Sequence, residues 1–431
     1  MRIIFHSDIN NCFASIEAVL DPSLRGVPVA VCGDPAARRG IVLAKSEEAK
    51  RFGVKTGDPV GVAARKCPGI RFVLPHFEVY QRYSRLIRAH YGRYSPVVEP
   101  FGLDECWLDM SLEVRDFSEA ARVADRLRSE VRHLFGVTVS VGVSFCKVFA
   151  KLASDLRKPD AVTVVPPDHF REQLYHLPAS AMLWVGPSTS QRLRRLGVRT
   201  LGDIERAGEA FMRAQFGKNG ARIWRDAAGL DDTPVFPGGP SAAQKSVGHG
   251  TTLPADLFCS TDAWPVIAFL SERTVTELRR MRMSARGIQI YVRDSSLQFH
   301  TYQAEVSHKI DTSRAVADHF LMLLSQHYEF CRGVHALGVR LYNLVADDVP
   351  HQLELFSSDA VRARDGRVDD AVAQIQSRFG SQVFFRGSSL HGVAEHPGCF
   401  PGSGLACERG KPVLESFELV PKERAAYVPL S

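Results

Sequence analysis

The sequence predicts a protein of about three domains, an α/β or α+β layer first and a compact α+β unit last, and three observations carry that prediction. Short apolar strands alternate with amphipathic helices from Arg2 to Val165. Short helices broken by glycine turns, with no good strand, fill Pro166 to Gly229. A stretch rich in Pro, Gly and Ser, Asp231 to Ser246, then leads into a second alternating unit of about 100 residues, a common domain size. The 431 residues are 45% hydrophobic and 24% charged, which is ample for several cores and excludes a wholly disordered or collagen-like chain. No apolar run approaches the roughly 18 residues of a membrane span. Met1 to Asp8 meets an acidic residue too soon for a signal peptide. The nine cysteines include no Cys-x-x-Cys, so reduced thiols in a cytoplasmic protein are expected, without disulfides or zinc. The net charge of +6 permits a polyanionic partner.

Taken in order, Ile3, Ile4 and Phe5 run together, so Arg2 to Ser7 reads as a buried strand. A helix carrying Phe13, Ile16, Glu17, Val19 and Leu20 follows and stops before Asp21 and Pro22. Val27 to Cys32 and Gly40 to Ala44 are short strands across a turn. Glu47 to Phe52 is a short helix closed by Gly53, and Tyr80 to Tyr94 a longer one. Val97 to Met110 reads strand, turn, strand. Phe117 to Phe135 is a helix laced with Arg and Glu, Val137 to Val143 a strand and Lys147 to Leu156 a helix. Past Ser246, Trp264 to Met281 and Ser313 to His327 are expected as helices, and Ala285 to Arg293, Gln298 to Glu305 and Val334 to Leu344 as strands. After Leu344 the order weakens, and Pro397 to Lys411 reads as a poorly packed tail.

Three carboxylates stand out. Asp8 ends the first strand, where a side chain emerges into a cleft, although alone it reads as a helix cap. Asp104 and Glu105 are neighbours, and neighbours on a regular strand point to opposite faces. Both reach one site only if they straddle a bend, which Pro100 and Gly102 supply; a solvated turn is the plainer reading of the pair alone. Three carboxylates at one sheet mouth would attract hard divalent cations such as Mg²⁺, and two such ions can align an in-line phosphoryl displacement.

The run from His6 to Glu17 (HSDINNCFASIE) resembles the opening of the Y-family DNA polymerases, in particular the bacterial polymerase IV type. So do Tyr94 to Glu99 (YSPVVE) with Leu103, Asp104, Glu105, Leu108 and Asp109, and a third block of Val141 to Ser144, Lys147 to Lys151, Lys158 and Pro159. The blocks stand in the family's order and spacing, and the resemblance extends over about the first 345 residues. The resemblance implies a right-hand polymerase with the palm in 1–10 and 75–166, small fingers in 11–74, a helical thumb in 167–230, a linker in 231–246 and an α+β little finger in 247–346. It implies low-fidelity, template-directed translesion synthesis by nucleotidyl transfer to a primer 3′ hydroxyl, in damage tolerance and repair. Asp8, Asp104 and Glu105, with the Ile9 carbonyl, would hold two Mg²⁺ ions. Phe13 falls on the steric gate against the incoming sugar. Asn11 and Cys12 would offer backbone N–H groups to the phosphates, and Lys45, Lys50 and Lys158 would neutralise them.

Departures from the family pattern fall in the fingers segment: Glu47 stands where an aromatic is usual and Lys50 where an arginine is, and lysine lacks the bidentate fork. Gly102 replaces a common serine, and Cys146 a common asparagine. Leu183 to Gly197 resembles the thumb's helix-hairpin-helix, with Gly186 at the turn that takes a DNA phosphate. Arg279, Arg280, Arg282, Arg286 and Arg293 cluster at one helix–strand junction and would track phosphates; the plainer reading is a solvated face. Gln352, Leu353, Leu355 and Phe356 resemble the peptide that bacterial polymerases insert into the sliding clamp. The implied partners are primer-template DNA, deoxynucleoside triphosphates and that clamp, for a cytoplasmic, nucleoid-associated monomer. A catalytically silent adaptor would lack the three carboxylates, and a palm-type nucleotide cyclase would lack the thumb and the basic last domain.

Overall fold

The computed structural model describes residues 1–34, 40–239, 244–347 and 359–379. The chain divides into two compact units, Met1–Ala242 and Ala243–Ser431. The boundary falls inside the Pro/Gly/Ser-rich stretch. The proposed clamp residues Gln352, Leu353, Leu355 and Phe356, and the tail from 380 on, lie outside the described residues.

The first unit is organised by a five-stranded sheet. Its central strand β1 (Ile4–Ile9) is buried along its whole length. The small second sheet is built from β2 (Val29–Cys32), β3 (Val42–Lys45) and β4 (Arg71–Val73), in the order β3-β2-β4. With β5 (Val98–Phe101), β6 (Glu105–Asp109), β7 (Val139–Ser144) and β8 (Val162–Val165), the main sheet runs β5-β6-β1-β7-β8. β1 is antiparallel to both β6 and β7, while β8 joins β7 in parallel. Apolar side chains fill the space under this sheet because α4 (Phe77–Tyr91) and α5 (Phe117–Phe135) turn their buried stripes to it. α6 (Lys147–Leu156) lies so close to β7 that a Cβ at Gly142 would stand 2.0 Å from the Ala150 carbonyl oxygen, so only glycine fits there. The small sheet packs a separate core of Ala30, Val42, Ala49, Val54, Ala63 and Cys67 with α2 (Glu47–Arg51) and α3 (Val60–Lys66), beyond α1 (Cys12–Leu20).

A helical part follows: α7 (Phe170–Leu174), α8 (Pro187–Arg195), α9 (Leu201–Ala207) and α10 (Glu209–Ala227), the last kinked at Gly217. α9 starts on a capping box in which the Thr200 and Asp203 side chains each satisfy a backbone N–H of the other's residue. The stretch read as a linker from Asp231 is tied down over its first part. Gly238 N–H donates to the Val98 carbonyl at 2.9 Å, Phe236 N–H to Glu99 Oε2 at 2.8 Å, and Val235 is buried beside Ile4 and Trp107. Pro and Gly mark irregular backbone in a sequence, yet say nothing of the long-range partners that hold it.

The second unit is a four-stranded antiparallel sheet, β11-β10-β12-β9, formed by β9 (Ser246–Leu257), β10 (Met283–Asp294), β11 (Phe299–Ile310) and β12 (Val334–Ala346). α11 (Ser260–Arg280) and α12 (Ser313–His327) contribute Val266, Ile267, Leu270, Phe320 and Leu324 to its core. Sequence reasoning missed β9, whose Gly248, Gly250 and Pro254 disguise the alternation. Gly250 and Gly338 are instead the floor under the Tyr291 ring, since a Cβ on either would stand inside it. It also missed α13 (Asp359–Phe379), placed where order was expected to weaken. That helix is held because Asp369 accepts from the Ser313 backbone N–H (2.8 Å) and hydroxyl (2.6 Å) at the start of α12.

Candidate active site

The strand order brings the carboxylates together. Asp8 sits opposite Glu105 of β6 and Ser140 of β7, and the Ile9 N–H donates to the Asp104 carbonyl at 3.0 Å. The turn between β5 and β6 holds Gly102 at φ 75°, a left-handed conformation that favours glycine, and so delivers Asp104 and Glu105 to the end of β1. The bend expected from Pro100 and Gly102 is therefore where the sequence placed it.

Each carboxylate has a different environment. Asp8 is buried, and its Oδ2 accepts from Lys158 Nζ at 2.6 Å; the same ammonium reaches Asp155 Oδ1 at 2.6 Å. Burial pushes the Asp8 carboxyl up, and Lys158 offsets part of that rise. Burial works against the Lys158 charge, but Asp8 and Asp155 outweigh it and raise the ammonium above its ordinary value. Glu105 Oε2 accepts from His6 Nε2 at 3.0 Å and from Lys151 Nζ. Burial would raise this carboxyl, but those two donors prevail and bring it down to about 2. Asp104 is raised to about 6, first by burial and then by the negative charges of Asp8 and Glu105. The three carboxylates thus feel one another.

Among the described residues, no group of three or more His, Cys, Asp or Glu stands ready to hold a metal ion. Lys158 on Asp8, and His6 with Lys151 on Glu105, supply the counter-charge there. The donor set nevertheless fits a hard divalent cation: three carboxylates, one of them raised by burial and then by the other two, whose repulsion a cation would relieve.

Phe13, in the first turn of α1, is half-buried. Its ring stacks on Tyr80 (centroids 4.3 Å apart, planes at 12°) and meets the edge of Phe77 at 5.9 Å. Tyr80 is itself fixed by a hydrogen bond from its hydroxyl to Glu17, so the Phe13 ring rests on a rigid support. Asn11 caps α1 in the left-handed conformation (φ 50°, ψ 39°), and its side chain donates to Glu47 Oε1 at 3.0 Å. Lys50 pairs with that same oxygen at 3.3 Å, and Lys45 Nζ donates to Thr56 Oγ1 at 3.3 Å. Burial and then the nearby positive charge of Lys50 lower the Lys45 ammonium, with a smaller contribution from Lys158. Lys45, Lys50 and Lys158 therefore share one electrostatic neighbourhood, and Glu47, where an aromatic was expected, organises Asn11 and Lys50.

Gly186 is the exposed N-cap residue of α8. In the second unit Arg280, Arg282 and Arg286 are exposed, while Arg293 stacks over Phe299 at 5.0 Å. Arg279 is spoken for otherwise: it donates to Asp370 Oδ1 at 2.5 Å and to the Asp311 carbonyl at 3.1 Å, and so holds α13. Sequence reasoning missed His6 and Lys151 as holders of Glu105. One signal was available, since His6 lies two residues before Asp8 and therefore shares its face of β1.

Comparison with known proteins identifies the class. The impB/mucB/samB family matches residues 7–155, and that family's C-terminal domain matches residues 244–355. The chain is 40% identical over 389 residues to the DNA polymerase IV of Acetivibrio thermocellus, covering 90% of this chain and 98% of that one. It is 33% identical over 395 residues to the DNA polymerase IV of Desulfatibacillum aliphaticivorans, covering 92% and 98%. Among solved structures, a Y-family DNA polymerase chimera of Dbh and Dpo4 matches with a TM-score of 0.71 at 24% identity, over 80% of this chain and 99% of that one. The fold is thus that of the Y-family polymerases. The chain belongs to that family, as a DNA-directed DNA polymerase of the polymerase IV type. Translesion synthesis and DNA repair are the work of this family. Among the described residues no helix is long and apolar enough to cross a membrane.

Proposed function

We propose that this chain extends primers on damaged templates with low fidelity, by transfer of a deoxynucleotidyl group to the primer 3′ hydroxyl with release of pyrophosphate. The convergence of Asp8, Asp104 and Glu105, which together with burial raises Asp104 to about 6, burial being the larger cause, is the observation that carries the reading. Asp8, Asp104, Glu105 and the Ile9 carbonyl would hold two Mg²⁺ ions. Bound there, the ions would activate the hydroxyl and neutralise the triphosphate. His6 and Lys151 hold Glu105 in place, and Lys158 leaves Asp8 for a phosphate. Lys45 and Lys50 add positive charge on the triphosphate side, with the Asn11 and Cys12 amides at the start of α1. Phe13 presses against C2′ of the incoming sugar and excludes a ribose hydroxyl.

In this reading residues 1–10 and 75–166 are the palm, 11–74 the fingers, 167–230 the thumb and 247–346 the little finger. The Gly186 turn takes a DNA phosphate, and Arg280, Arg282, Arg286 and Arg293 follow the backbone. The protein works as a monomer in the cytoplasm. Primer extension with Mg²⁺ tests the chemistry. Asp8→Ala, Asp104→Ala and Glu105→Ala should each lose about a thousandfold in rate or more, with primer-template affinity nearly intact. Extension near the native rate by all three would end the assignment. Residues 352–356 are proposed to dock in the sliding clamp through Leu355 and Phe356. Changing both to Ala should abolish clamp stimulation on long templates and leave clamp-free synthesis and melting temperature unaltered; a destabilised variant that still responds to the clamp would refute this.

A further inference from the structure

Asn10 is buried, yet the proposed chemistry gives its side chain nothing to do. It stands two residues beyond Asp8, after the end of β1 and just before the Asn11 that caps α1. Its Nδ2 donates to Ser140 Oγ at 2.8 Å, while its Oδ1 accepts from Thr138 Oγ1 at 3.0 Å and from the Asp160 backbone N–H at 2.8 Å. An amide side chain offers two donor hydrogens and two lone pairs, so this one is nearly saturated. Because a backbone N–H can only donate, the bond from Asp160 fixes which way the amide faces.

Asp160 lies two residues beyond Lys158, just as Asn10 lies two beyond Asp8. The two segments are therefore joined by two rungs, Lys158 Nζ to Asp8 Oδ2 at 2.6 Å and Asp160 N–H to Asn10 Oδ1 at 2.8 Å. The loop is gripped from its other side as well. The Asp160 carboxylate accepts from Arg128 at 2.6 Å and from Arg132 at 3.1 Å, both on α5. The rungs differ in kind. The first is made by a half-buried ammonium that a phosphate can draw away. The second ties a buried amide to backbone, and breaking it would leave that amide oxygen short of a donor. A lysine carries its charge on a flexible four-carbon stem, so the place of the ammonium depends on how firmly its backbone is held.

We propose that Asn10 is a positioning residue for the incoming nucleotide: when Lys158 leaves Asp8 for the triphosphate, the Asn10–Asp160 bond keeps the lysine's backbone beside Asp8, with Arg128 and Arg132 bracing the loop from α5. The inference rests on the polymerase reading and goes beyond it, since that reading gives Asn10, Asp160, Arg128 and Arg132 no part.

The test is the equilibrium affinity of the full chain for a deoxynucleoside triphosphate, with Mg²⁺ and a primer-template whose primer ends in a dideoxynucleotide, so that no bond forms. Lys158→Ala should weaken that affinity about tenfold, and Asn10→Ala nearly as much. Asn10→Asp keeps the acceptor while the Ser140 hydroxyl turns to donate, and should stay within about threefold of native. Asp160→Gly keeps the N–H and suits the left-handed backbone (φ 55°), so it removes only the grip of α5 and should cost about threefold. Arg128 retains Asp125 in that variant, so no charge is stranded there. The deciding measurement is the double variant. If Asn10 acts through Lys158, adding Asn10→Ala to Lys158→Ala costs little more, whereas a merely structural role costs about tenfold again. That further loss, native affinity in Asn10→Ala, or an Asn10→Asp variant as weak as Asn10→Ala would each overturn the inference alone. Should Asn10→Ala not fold, Asp160→Gly with and without Lys158→Ala decides in the same way. A Lys158→Ala variant of native affinity, or a native complex that binds no nucleotide, would overturn the reading of the site and this inference with it.

Discussion

Two central strands, β1 of the five-stranded sheet and β10 of the four-stranded sheet, treat burial in opposite ways. Between its ends, where the buried Ser284 and Asp294 are held by Asp347 and His300, β10 of the second unit buries Ala285, Ile288, Ile290 and Val292 and keeps Arg286 exposed, the ordinary alternation of a sheet with one helix-covered face. β1 of the first unit buries His6, Ser7 and Asp8 in succession. Each of these has a partner: Ser154 and Glu105 on His6, the Tyr91 hydroxyl on Ser7, Lys158 on Asp8. Burying a polar or charged group costs free energy unless it is hydrogen-bonded or paired. A strand that carries three in a row, each matched by a residue from elsewhere in the chain, is where chemistry outranks packing. The middle of β10 needs only its pattern; the middle of β1 needs particular partners.

That contrast can be broken at its most buried pair. Glu99 and Lys147 are both buried, 2.6 Å apart, with Lys147 also 4.4 Å over the Trp107 ring. Lys147→Met leaves the Glu99 carboxylate without its counter-charge and should destabilise the first unit by about 3–5 kcal/mol. Calorimetry should show the transition of the first unit falling while that of the second holds. Restoring an apolar pair with Glu99→Leu in the same chain should recover much of the loss. A single variant that melts with the native protein would mean that this buried charge pair is dispensable in the first unit.

A smaller effect sharpens the comparison within the site. Phe13→Val removes the ring that Tyr80 supports, so the ratio of ribonucleotide to deoxynucleotide insertion efficiency should rise roughly tenfold or more. An unchanged ratio would make Phe13 a packing residue of α1. The mildest effect belongs to the second unit. Replacing Arg286 or Arg293 by Ala should weaken DNA binding about equally on all sequences and reduce the salt slope by about 1 for each arginine removed from a phosphate. If the slope keeps its native value in both variants, these arginines are solvated surface, and the second unit must hold DNA with other groups.

Much of the framework was legible because its signals are local. The helices at Phe117–Phe135, Lys147–Leu156 and Ser313–His327 run between the residues the apolar spacing marked. Their ends are set by neighbours in sequence, as where the Asp116 side chain accepts from the Glu119 N–H and Gly136 closes the helix in the left-handed conformation. The helix expected from Tyr80 to Tyr94 instead spans Phe77–Tyr91, since it begins as soon as Pro75 is passed and has already ended at Gly92.

The sequence by itself thus determined most of the elements, though not β9 or α13, and the three carboxylates with Phe13 that are proposed as the site. Only the tertiary structure decided which groups answer those carboxylates. Lys158 meets Asp8 across 150 residues of chain, and His6 meets Glu105 across 99. Lys151 reaches the same Glu105 oxygen only because Gly142 lets α6 lie on β7. Propensity and periodicity act over a turn or a few strand residues, whereas these pairings depend on the strand order β5-β6-β1-β7-β8, which no local pattern encodes.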